Sequence, residues 1–338
     1  MDRYSRQILF EGIGEEGQRR VRAARVLVVG CGALGSAQAE MLARAGVGRL
    51  HLVDRDFVEE SNLQRQTLFS ERDARERAPK AVAAARRLGE VNSEVECVAE
   101  VADVNNSNVE RLVAGCDVVL DGTDNFATRF LLNDACVKHG VRWVYGAAVG
   151  SYGVTMTVLP RETPCLRCVF PETPAAGSAP TCDTAGVIMP VVAVVAAVQV
   201  AEALKLLAGR PEGLHRSLMQ FDVWGNEWRR LALRERTPEC PTCVLGRYES
   251  LEAEAADLAT VLCGRQAVQV TPRAAARLDL DALAERLRPA GDVKANPYLV
   301  RLQAGDYELT VFADARAIIR GTEDPGVARS LYARYVRT

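Results

Sequence analysis

The sequence lacks an excess of charge of either sign. Its 338 residues include 42 lysines and arginines against 44 aspartates and glutamates, which gives a net charge of −2. A dedicated nucleic-acid binder, or a protein held on membranes by basic residues, carries a strong positive excess. The charge balance argues against both classes, so we expect neither nucleic acid nor a membrane among the partners.

The sequence also lacks a recognisable leader and a long membrane-spanning run. Its first ten residues, MDRYSRQILF, carry charges where a secretory signal is apolar. The apolar run 186–201 is shorter than the roughly 20 residues that a span needs. We interpret it as a buried helix with Pro190 in its first turn and its end near Leu207. We expect a cytoplasmic protein, in which ten cysteines indicate metal or thiol chemistry rather than disulfides.

Strand-like and helix-like segments alternate over the first half of the chain. Apolar residues make up 48% of the sequence, enough for a sizeable core. The alternation predicts an α/β fold with a Rossmann-like doubly wound sheet. An antiparallel strand at 153–159 and a hairpin within 220–233 should follow. We predict an ATP-binding domain at 1–246, a linker helix at 247–260 and a small α+β domain at 261–338.

A glycine-rich loop follows the first strand. The motif GCGALG contains Gly30, Gly32 and Gly35 and opens a helix. Its glycines allow a tight turn and a close approach of phosphate, while the helix N-terminus offers free N–H groups. Asp54 ends the second strand, where a carboxylate can bind ribose hydroxyls. These features specify an adenine nucleotide but not the reaction, and a purely structural glycine turn is the alternative.

Three cations indicate which nucleotide binds. Arg65 lies in the run DRDFVEESNLQRQ, Lys80 begins a helix, and Arg6 lies in the N-terminal arm. Each alone is more often a surface cation, but three around one glycine loop fit a triphosphate whose pyrophosphate leaves. From the same run we include further nucleotide-binding candidates: Asp56, Asn62 and Gln66.

An acidic motif follows the strand DVVLD. In DGTDNFATR, a carboxylate at the carboxyl end of a strand is well placed to bind Mg²⁺ beside phosphate. We choose Asp124 as the magnesium ligand and include Asn125 among the nucleotide-binding residues. Asp121 can equally be a turn or cap residue.

Two CxxC pairs predict a structural zinc site. Cys165 and Cys168 form the first pair, and Cys240 and Cys243 form the second. Two matched pairs fit one tetrahedral Cys₄ zinc site, with a thioredoxin-like redox pair as the alternative. Cys182 stands apart before the long apolar helix, where a helix N-terminus favours a thiolate, although a lone loop cysteine is usually inert.

The order of these motifs resembles the MoeB/ThiF family, bacterial relatives of ubiquitin-activating enzymes. The resemblance rests on RYSRQ, GCGALG, DRD, SNLQRQ, PK, DGTDN, CxxC, TCDTAGV and a second CxxC, and it spans residues 3–245. It implies that MgATP is used to adenylylate the C-terminal Gly-Gly carboxylate of a small ubiquitin-like sulfur carrier. The implied carrier is of the ThiS type, for thiazole synthesis, or of the MoaD type, for molybdopterin synthesis. An external sulfur donor, such as a cysteine desulfurase or a rhodanese, then gives a thiocarboxylate.

The resemblance also implies roles for single residues. The three loop glycines line the nucleotide, Asp54 binds ribose, Arg65 and Lys80 neutralise phosphate, and Asp124 holds Mg²⁺. The implied assembly is a homodimer in which Arg6 reaches the partner's ATP. Cys182 matches the cysteine through which ThiF forms an acyl-persulfide link to its carrier. Residues 169–181 are the candidate crossover loop under which the carrier tail threads.

Other interpretations stay open at this point. An NAD-dependent oxidoreductase explains the glycine loop and Asp54, but neither the cations nor the CxxC pairs. A non-catalytic carrier-binding module and an enzyme that modifies tRNA or a protein lysine are further alternatives. The C-terminal domain has no assigned chemistry, and a role in carrier docking or in dimer support is a hypothesis.

Overall fold

A computed structural model describes residues 2–172, 182–233, 235–252, 259–262, 266–272 and 277–336. The chain forms two compact units, Met1–Glu252 and Ala253–Thr338. The α-helices, in chain order, are α1 Ser5–Ile8, α2 Gly14–Ala23, α3 Ala33–Ala45, α4 Glu71–Arg75, α5 Lys80–Val91, α6 Val109–Val113, α7 Phe126–His139, α8 Leu166–Val169, α9 Cys182–Ala185, α10 Met189–Leu207, α11 Glu249–Glu252, α12 Leu280–Leu287 and α13 Pro325–Tyr335. The strands are β1 Arg25–Val29, β2 Arg49–Asp54, β3 Glu96–Val101, β4 Val118–Asp121, β5 Arg142–Val149, β6 Tyr152–Val158, β7 Ser217–Asp222, β8 Glu227–Ala232, β9 Ala259–Leu262, β10 Ala267–Val270, β11 Asp292–Asn296, β12 Leu299–Ala304, β13 Tyr307–Phe312 and β14 Ala317–Arg320.

The first unit is built on an eight-stranded sheet in the order β3-β2-β1-β4-β5-β6-β7-β8. The five strands from β3 to β5 are parallel, and the three that follow are antiparallel. The doubly wound α/β fold that the sequence predicts is therefore confirmed. The hairpin of β7 and β8 extends the sheet to an edge at which every residue of β8 is exposed.

Helices cover both faces of this sheet. On one face, Leu42 of α3, Leu88 of α5 and Leu206 of α10 belong to one buried cluster with the strand residues beneath them. On the other face, Leu112 of α6 and Phe130 of α7 are buried with residues of β4, β5 and β6. Because both faces are covered, the central strands β1 and β4 are apolar except at one end of each, which is the pattern of a parallel sheet.

Helix α10 is the buried helix that the apolar run predicts. In length and hydropathy it would pass for a membrane span, but 56% of its most apolar window is buried inside the protein. Pro190 lies in its first turn, where a missing backbone N–H costs no hydrogen bond. Its apolar surface packs on α3, β5 and β6, so burial in the core explains its composition.

The second unit is an antiparallel sheet with two helices. Its six strands lie in the order β11-β12-β13-β14-β10-β9. Leu283 and Leu287 of α12 and Tyr332 of α13 are buried in one cluster with the strands. The last two residues of the predicted linker helix 247–260 are not helical. Ala259 and Thr260 belong to strand β9, which pairs with β10. Of that predicted linker, residues 249–252 are helical and residues 253–258 lie outside the described part.

The strand order fixes where a ligand can bind in the first unit. From β1 the chain proceeds to β2 and β3 on one side, whereas from β4 it proceeds to β5 on the other. The connections therefore leave β1 and β4 in opposite directions, and a crevice opens beyond the carboxyl ends of these two strands. Val29 ends β1 and Asp121 ends β4, so both the glycine loop and the DGTDN motif border this crevice.

The glycine packing at this crevice gives a stability prediction. A Cβ atom at Gly35 would overlap the carbonyl oxygen of Gly30, which is backbone and cannot move aside. We expect Gly35→Ala to lower the free energy of unfolding by about 3 kcal/mol, the upper range for overpacking. Unfolding in urea measures this change.

Gly89 of α5 provides the matched control. A Cβ atom there meets no atom of any described residue within 4 Å. Gly89→Ala should raise the free energy of unfolding by about 0.5–1 kcal/mol, because alanine is the better helix former. Equal stabilities for the two variants would contradict the backbone contact.

Candidate functional site

The three glycines of the loop serve two different purposes. Gly30 has a φ of +84°, and a Cβ atom there would lie 2.7 Å from the carbonyl oxygen of Gly122. Gly30 is therefore required by the contact between the loop and the segment after β4, and Gly35 is required by its contact with the Gly30 carbonyl within the loop. At Gly32 a Cβ atom would have, within the described part of the chain, a single neighbour within 4 Å, which is Gln66 Nε2 at 3.9 Å. The protein leaves the space beside Gly32 open, so a ligand can approach the backbone at the N-terminus of α3.

Asp54 connects the second strand to this loop. Its Oδ2 accepts a hydrogen bond from the backbone N–H of Cys31 at 2.6 Å, and its Oδ1 accepts one from the backbone N–H of Asp56 at 2.6 Å. Burial raises the pKa of the Asp54 carboxyl, and the nearby Lys80 ammonium only partly offsets this. The carboxylate thus lies at the floor of the crevice, where the sequence predicts a ribose contact.

Lys80 places a buried positive charge beside the floor of the crevice. It is the first residue of α5 and is only 5% exposed. Its Nζ lies 3.4 Å from Asp56 Oδ2. A buried ammonium is costly unless anionic groups face it. Lys80, Asp54 and Asp56 therefore form one charged cluster below the glycine loop.

The segment between β2 and α4 brings the SNLQRQ residues to the loop. Asn62 is 3% exposed, and its Oδ1 accepts the backbone N–H of Glu59 at 3.1 Å, so its side chain shapes the segment. Arg65 donates from Nη1 to the carbonyl oxygen of Ser61 at 2.9 Å. Gln66 is 4% exposed, and its buried Oε1 has no hydrogen-bond partner among the residues that the structure describes. A buried amide oxygen without a partner, on a side chain next to the open side of Gly32, fits a site that a polar ligand completes.

The DGTDN motif separates two aspartates with different roles. Asp121 is fully buried, and its Oδ1 accepts hydrogen bonds from Thr123 N at 2.9 Å and Thr123 Oγ1 at 2.7 Å. Burial raises the pKa of its carboxyl to about 6. Asp124 is exposed at the carboxyl end of β4. Asn125 caps α7 by accepting the backbone N–H of Thr128 at 2.9 Å. Of the two acids, Asp124 is the one that can reach a ligand.

Arg129 is a residue of the site to which the sequence analysis gave no role. It is 6% exposed, and its Nη2 donates to the carbonyl oxygen of Thr123 at 2.7 Å. Its Nε lies 3.8 Å from Asp121 Oδ2, and its guanidinium contacts the rings of Phe126 and Tyr145. Arg129 thus fixes the turn that carries Asp124. The available signal was its position one helical turn after the cap of α7.

Arg55 also borders the crevice and was not singled out from the sequence. Its Nη1 lies 3.0 Å from Asp103 Oδ1, and its Nε lies 3.9 Å from Asp56 Oδ1. Burial alone would lower the pKa of the Arg55 guanidinium, but the carboxylates of Asp103, Asp56 and Asp124 outweigh burial and raise it. Arg55 therefore connects the carboxyl ends of β2 and β3 on the side that faces Asp124.

Arg6 lies at the opposite end of α3 from the glycine loop of its own chain. Its neighbour Gln7 donates from Nε2 to the carbonyl oxygen of Ala45 at 2.9 Å, at the C-terminal end of α3. Tyr4 packs against Gly46 at the same end. The 13 residues of α3 span about 20 Å. The structure therefore does not bring Arg6 together with Lys80 and Gly32 within one chain.

Cys182 begins α9, and the backbone of that segment lies at the crevice edge of the sheet. Gly150 directly follows β5 and pairs with the segment after α9, accepting the backbone N–H of Ile188 at 3.0 Å. Since β5 is parallel to β4, this place is at the same edge as Asp121. The side chain of Cys182 lies outside the described residues, as does most of the predicted crossover loop 169–181.

The two CxxC pairs meet in space. The Sγ atoms of Cys165 and Cys240 lie 3.7 Å apart, those of Cys168 and Cys243 lie 3.4 Å apart, and all four lie within 4.8 Å of one another. A tetrahedron of thiolates at about 2.3 Å from zinc has sulfur–sulfur edges of about 3.8 Å. Each pair also approaches the other pair across the cluster, which favours one four-ligand metal site over two redox pairs. The four cysteines thus fit zinc.

Comparisons with known proteins give a match to a family and to single relatives. Residues 4–242 match the ThiF family model. The sulfur carrier protein ThiS adenylyltransferase of Bacillus subtilis is 46% identical over 336 residues, which covers 99% of both chains. The sulfur carrier protein adenylyltransferase of Thermus thermophilus is 40% identical over 249 residues, covering 72% of this chain and 90% of that protein.

Solved structures support the fold. Escherichia coli MccB with ATP superposes with a TM-score of 0.62 at 24% identity, covering 72% of this chain and 74% of MccB. At that identity the likeness shows the fold alone. The family model, however, matches most of the chain, and the relative from B. subtilis is similar from end to end. The protein belongs to the ThiF family.

Proposed function

We propose that this protein is an enzyme that uses ATP to adenylylate the C-terminal glycine carboxylate of a ubiquitin-like sulfur carrier. The observation that carries this proposal is the 46% identity with a ThiS adenylyltransferase over 99% of both chains. The adenylate activates the carboxylate, so that a sulfur donor can convert it into a thiocarboxylate. The carrier is of the ThiS or the MoaD type, in thiazole or molybdopterin synthesis.

The crevice supplies the groups that this reaction needs. The open backbone at Gly32 and the first turn of α3 accept phosphate, and Asp54 accepts the ribose hydroxyls. The carrier carboxylate attacks the α-phosphorus and pyrophosphate leaves, so negative charge grows on the leaving group. Lys80, at the start of α5, and Arg65 are the two cations that we assign to offset that charge. Gln66 Oε1 and the Asp56 carboxylate complete the polar lining of the pocket.

Asp124 is the residue that we assign to Mg²⁺. Bound there, Mg²⁺ would neutralise phosphate oxygens. Asp124 is exposed at the crevice, while Asn125 and Arg129 hold its turn through the cap of α7 and the Thr123 carbonyl. Asp124 Oδ1 accepts a hydrogen bond from Asn125 Nδ2 at 3.4 Å, and one or two such carboxylates are the usual protein contribution to a magnesium–nucleotide complex.

The position of Arg6 supports a homodimer with shared active sites. Arg6 lies at the far end of α3 from its own glycine loop. A phosphate-binding role for Arg6 therefore requires the crevice of another copy. The exposed side chains of Leu9 and Phe10, at 71% and 65%, continue the same arm and fit burial against that copy. We assign residues 1–246 to this adenylyltransferase domain, Cys182 to a thiol that receives the activated carrier, and residues 261–338 to carrier docking or dimer support.

Removal of the Asp124 carboxylate tests the adenylylation chemistry. We expect Asp124→Ala to slow pyrophosphate release from MgATP and a Gly-Gly-ended carrier at least about 100-fold, because charge neutralisation is lost. The thermal midpoint should stay unchanged, since Asp124 is exposed. Glu212→Ala, an exposed acid in the turn that follows α10, is the control and should leave the rate unchanged. Pyrophosphate release from the unmodified enzyme is the direct test of the function, and hydride transfer without ATP use would replace the proposal by an oxidoreductase.

A complementation experiment tests the shared site. Arg6→Ala and Asp124→Ala should each be inactive as homodimers. In a mixed dimer the Arg6→Ala subunit keeps an intact crevice and receives Arg6 from its partner, so mixing should restore adenylylation. Absence of recovery, with mixed dimers demonstrated by differential tags, would contradict an arginine supplied by the partner.

Metal analysis tests the cysteine cluster. We expect about one zinc per chain in protein purified without chelator, as in a closed Cys₄ site. Cys240→Ser should lose the metal and lower the thermal midpoint. Cys97→Ser removes a half-buried thiol of β3 outside the cluster, and it should keep the metal. Metal-free wild-type protein would refute the assignment.

A further inference from the structure

The two halves of the cysteine cluster are far apart in sequence. Cys165 and Cys240 are separated by 75 positions, as are Cys168 and Cys243. The two CxxC turns, 165–168 and 240–243, are not adjacent along the chain. Four thiols that must gather around one ion therefore need a support that holds both turns. Helix α7 passes next to α8, which lies within the first turn, and next to α11, which follows the second.

Two neighbouring side chains of α7 bind both turns. Asn133 Oδ1 accepts the backbone N–H of Leu166, the residue after Cys165, at 2.8 Å. Asp134 Oδ1 accepts the hydroxyl of Thr242, which lies between Cys240 and Cys243, at 2.8 Å. Asn133 Nδ2 also donates to Asp134 Oδ1 at 3.3 Å. A hydrogen-bonded path therefore runs from one cysteine turn through α7 to the other.

The same carboxylate holds a third segment. Asp134 Oδ2 accepts the backbone N–H of Ser250, within α11, at 2.9 Å. Each of its two oxygens thus serves a different part of the chain, which an asparagine cannot do because it has only one acceptor oxygen. This need explains an aspartate, rather than an amide, at a fully buried position.

An asparagine and an aspartate are unusual side chains for the buried middle of a helix. Asn133 and Asp134 are both 0% exposed in the middle of α7. Asparagine and aspartate are poor helix formers, and a buried carboxylate is costly unless it is well hydrogen-bonded. An apolar residue would fill a purely packed position at less cost. The hydrogen bonds to the cysteine turns account for the polar pair.

We propose that Asn133 and Asp134 are positioning residues that hold the two CxxC turns at the separation a zinc ion requires. They fix the turns through backbone and hydroxyl groups and leave the thiols free for the metal. Retention of zinc by the folded protein then depends on the bond between Asp134 and Thr242. This inference concerns the metal site and does not depend on which carrier is activated.

Thr242 allows a test that changes only one hydrogen bond. Thr242→Val has nearly the same shape and removes the hydroxyl, whereas Thr242→Ser keeps it. We expect zinc transfer from the native full-length protein to a chromogenic chelator to be about tenfold faster in Thr242→Val, as when a partner of a metal-ligand group is removed. Thr242→Ser should release zinc at the wild-type rate.

Thr155→Val is the matched control. Thr155 is 0% exposed on β6, and its hydroxyl donates to the carbonyl oxygen of Tyr145 at 2.7 Å. The substitution and the burial are the same, but this bond does not involve the cluster. Thr155→Val should lower the unfolding midpoint without faster zinc release. Hydrogen exchange supplies a second readout, because Asp134→Asn should speed exchange at the Ser250 amide.

The outcomes separate this proposal from the proposed function. Equal zinc release by Thr242→Val and Thr155→Val would overturn the positioning role, and so would wild-type protein without zinc. Carrier-dependent pyrophosphate release is measured on the same preparations. Pyrophosphate release by a zinc-free protein would refute the zinc site and leave the proposed adenylyltransferase function standing.

Discussion

The backbone contact between the glycine loop and the segment after β4 is the constraint on which the first unit depends. Gly30, Gly35 and Gly122 approach so closely that a Cβ atom at any of them would strike backbone. This contact holds the carboxyl ends of β1 and β4 together where the sheet connections diverge. It sets the crevice floor on which Asp54 and Lys80 converge, and it places the DGTDN turn beside the loop.

Much of this site could be predicted from the sequence, because its signals are local. A glycine motif between a strand and a helix, an acid at the end of the next strand, and paired cysteines are all recognised without knowledge of contacts. The sequence indicates less directly that Asp124 lies in solvent and Asp121 in the core, since both acids belong to one turn. The choice between them depends on burial, which the structure supplies.

The features that the sequence did not reveal depend on contacts between distant segments. Arg129 looks like an ordinary charged residue of α7 until the Thr123 carbonyl and two aromatic rings are placed around it. Strand β14 is short, and on one side it gains its hydrogen bonds from β10, which lies far earlier in the chain. Strand preference reflects such partners more than intrinsic propensity. For the same reason, Asn133 and Asp134 could not be assigned from spacing alone.

The separation of the cysteine pairs has a consequence for the unfolded chain. A metal bound by both pairs closes a loop of 75 residues, which encloses α9, α10 and the β7–β8 hairpin. By chain statistics for a covalent cross-link, closing a loop of that length removes conformational entropy worth about 4 kcal/mol from the unfolded ensemble. The ion would therefore act mainly as a topological restraint. It would favour recovery of this segment after partial unfolding, although the four cysteines have no part in the proposed adenylylation chemistry.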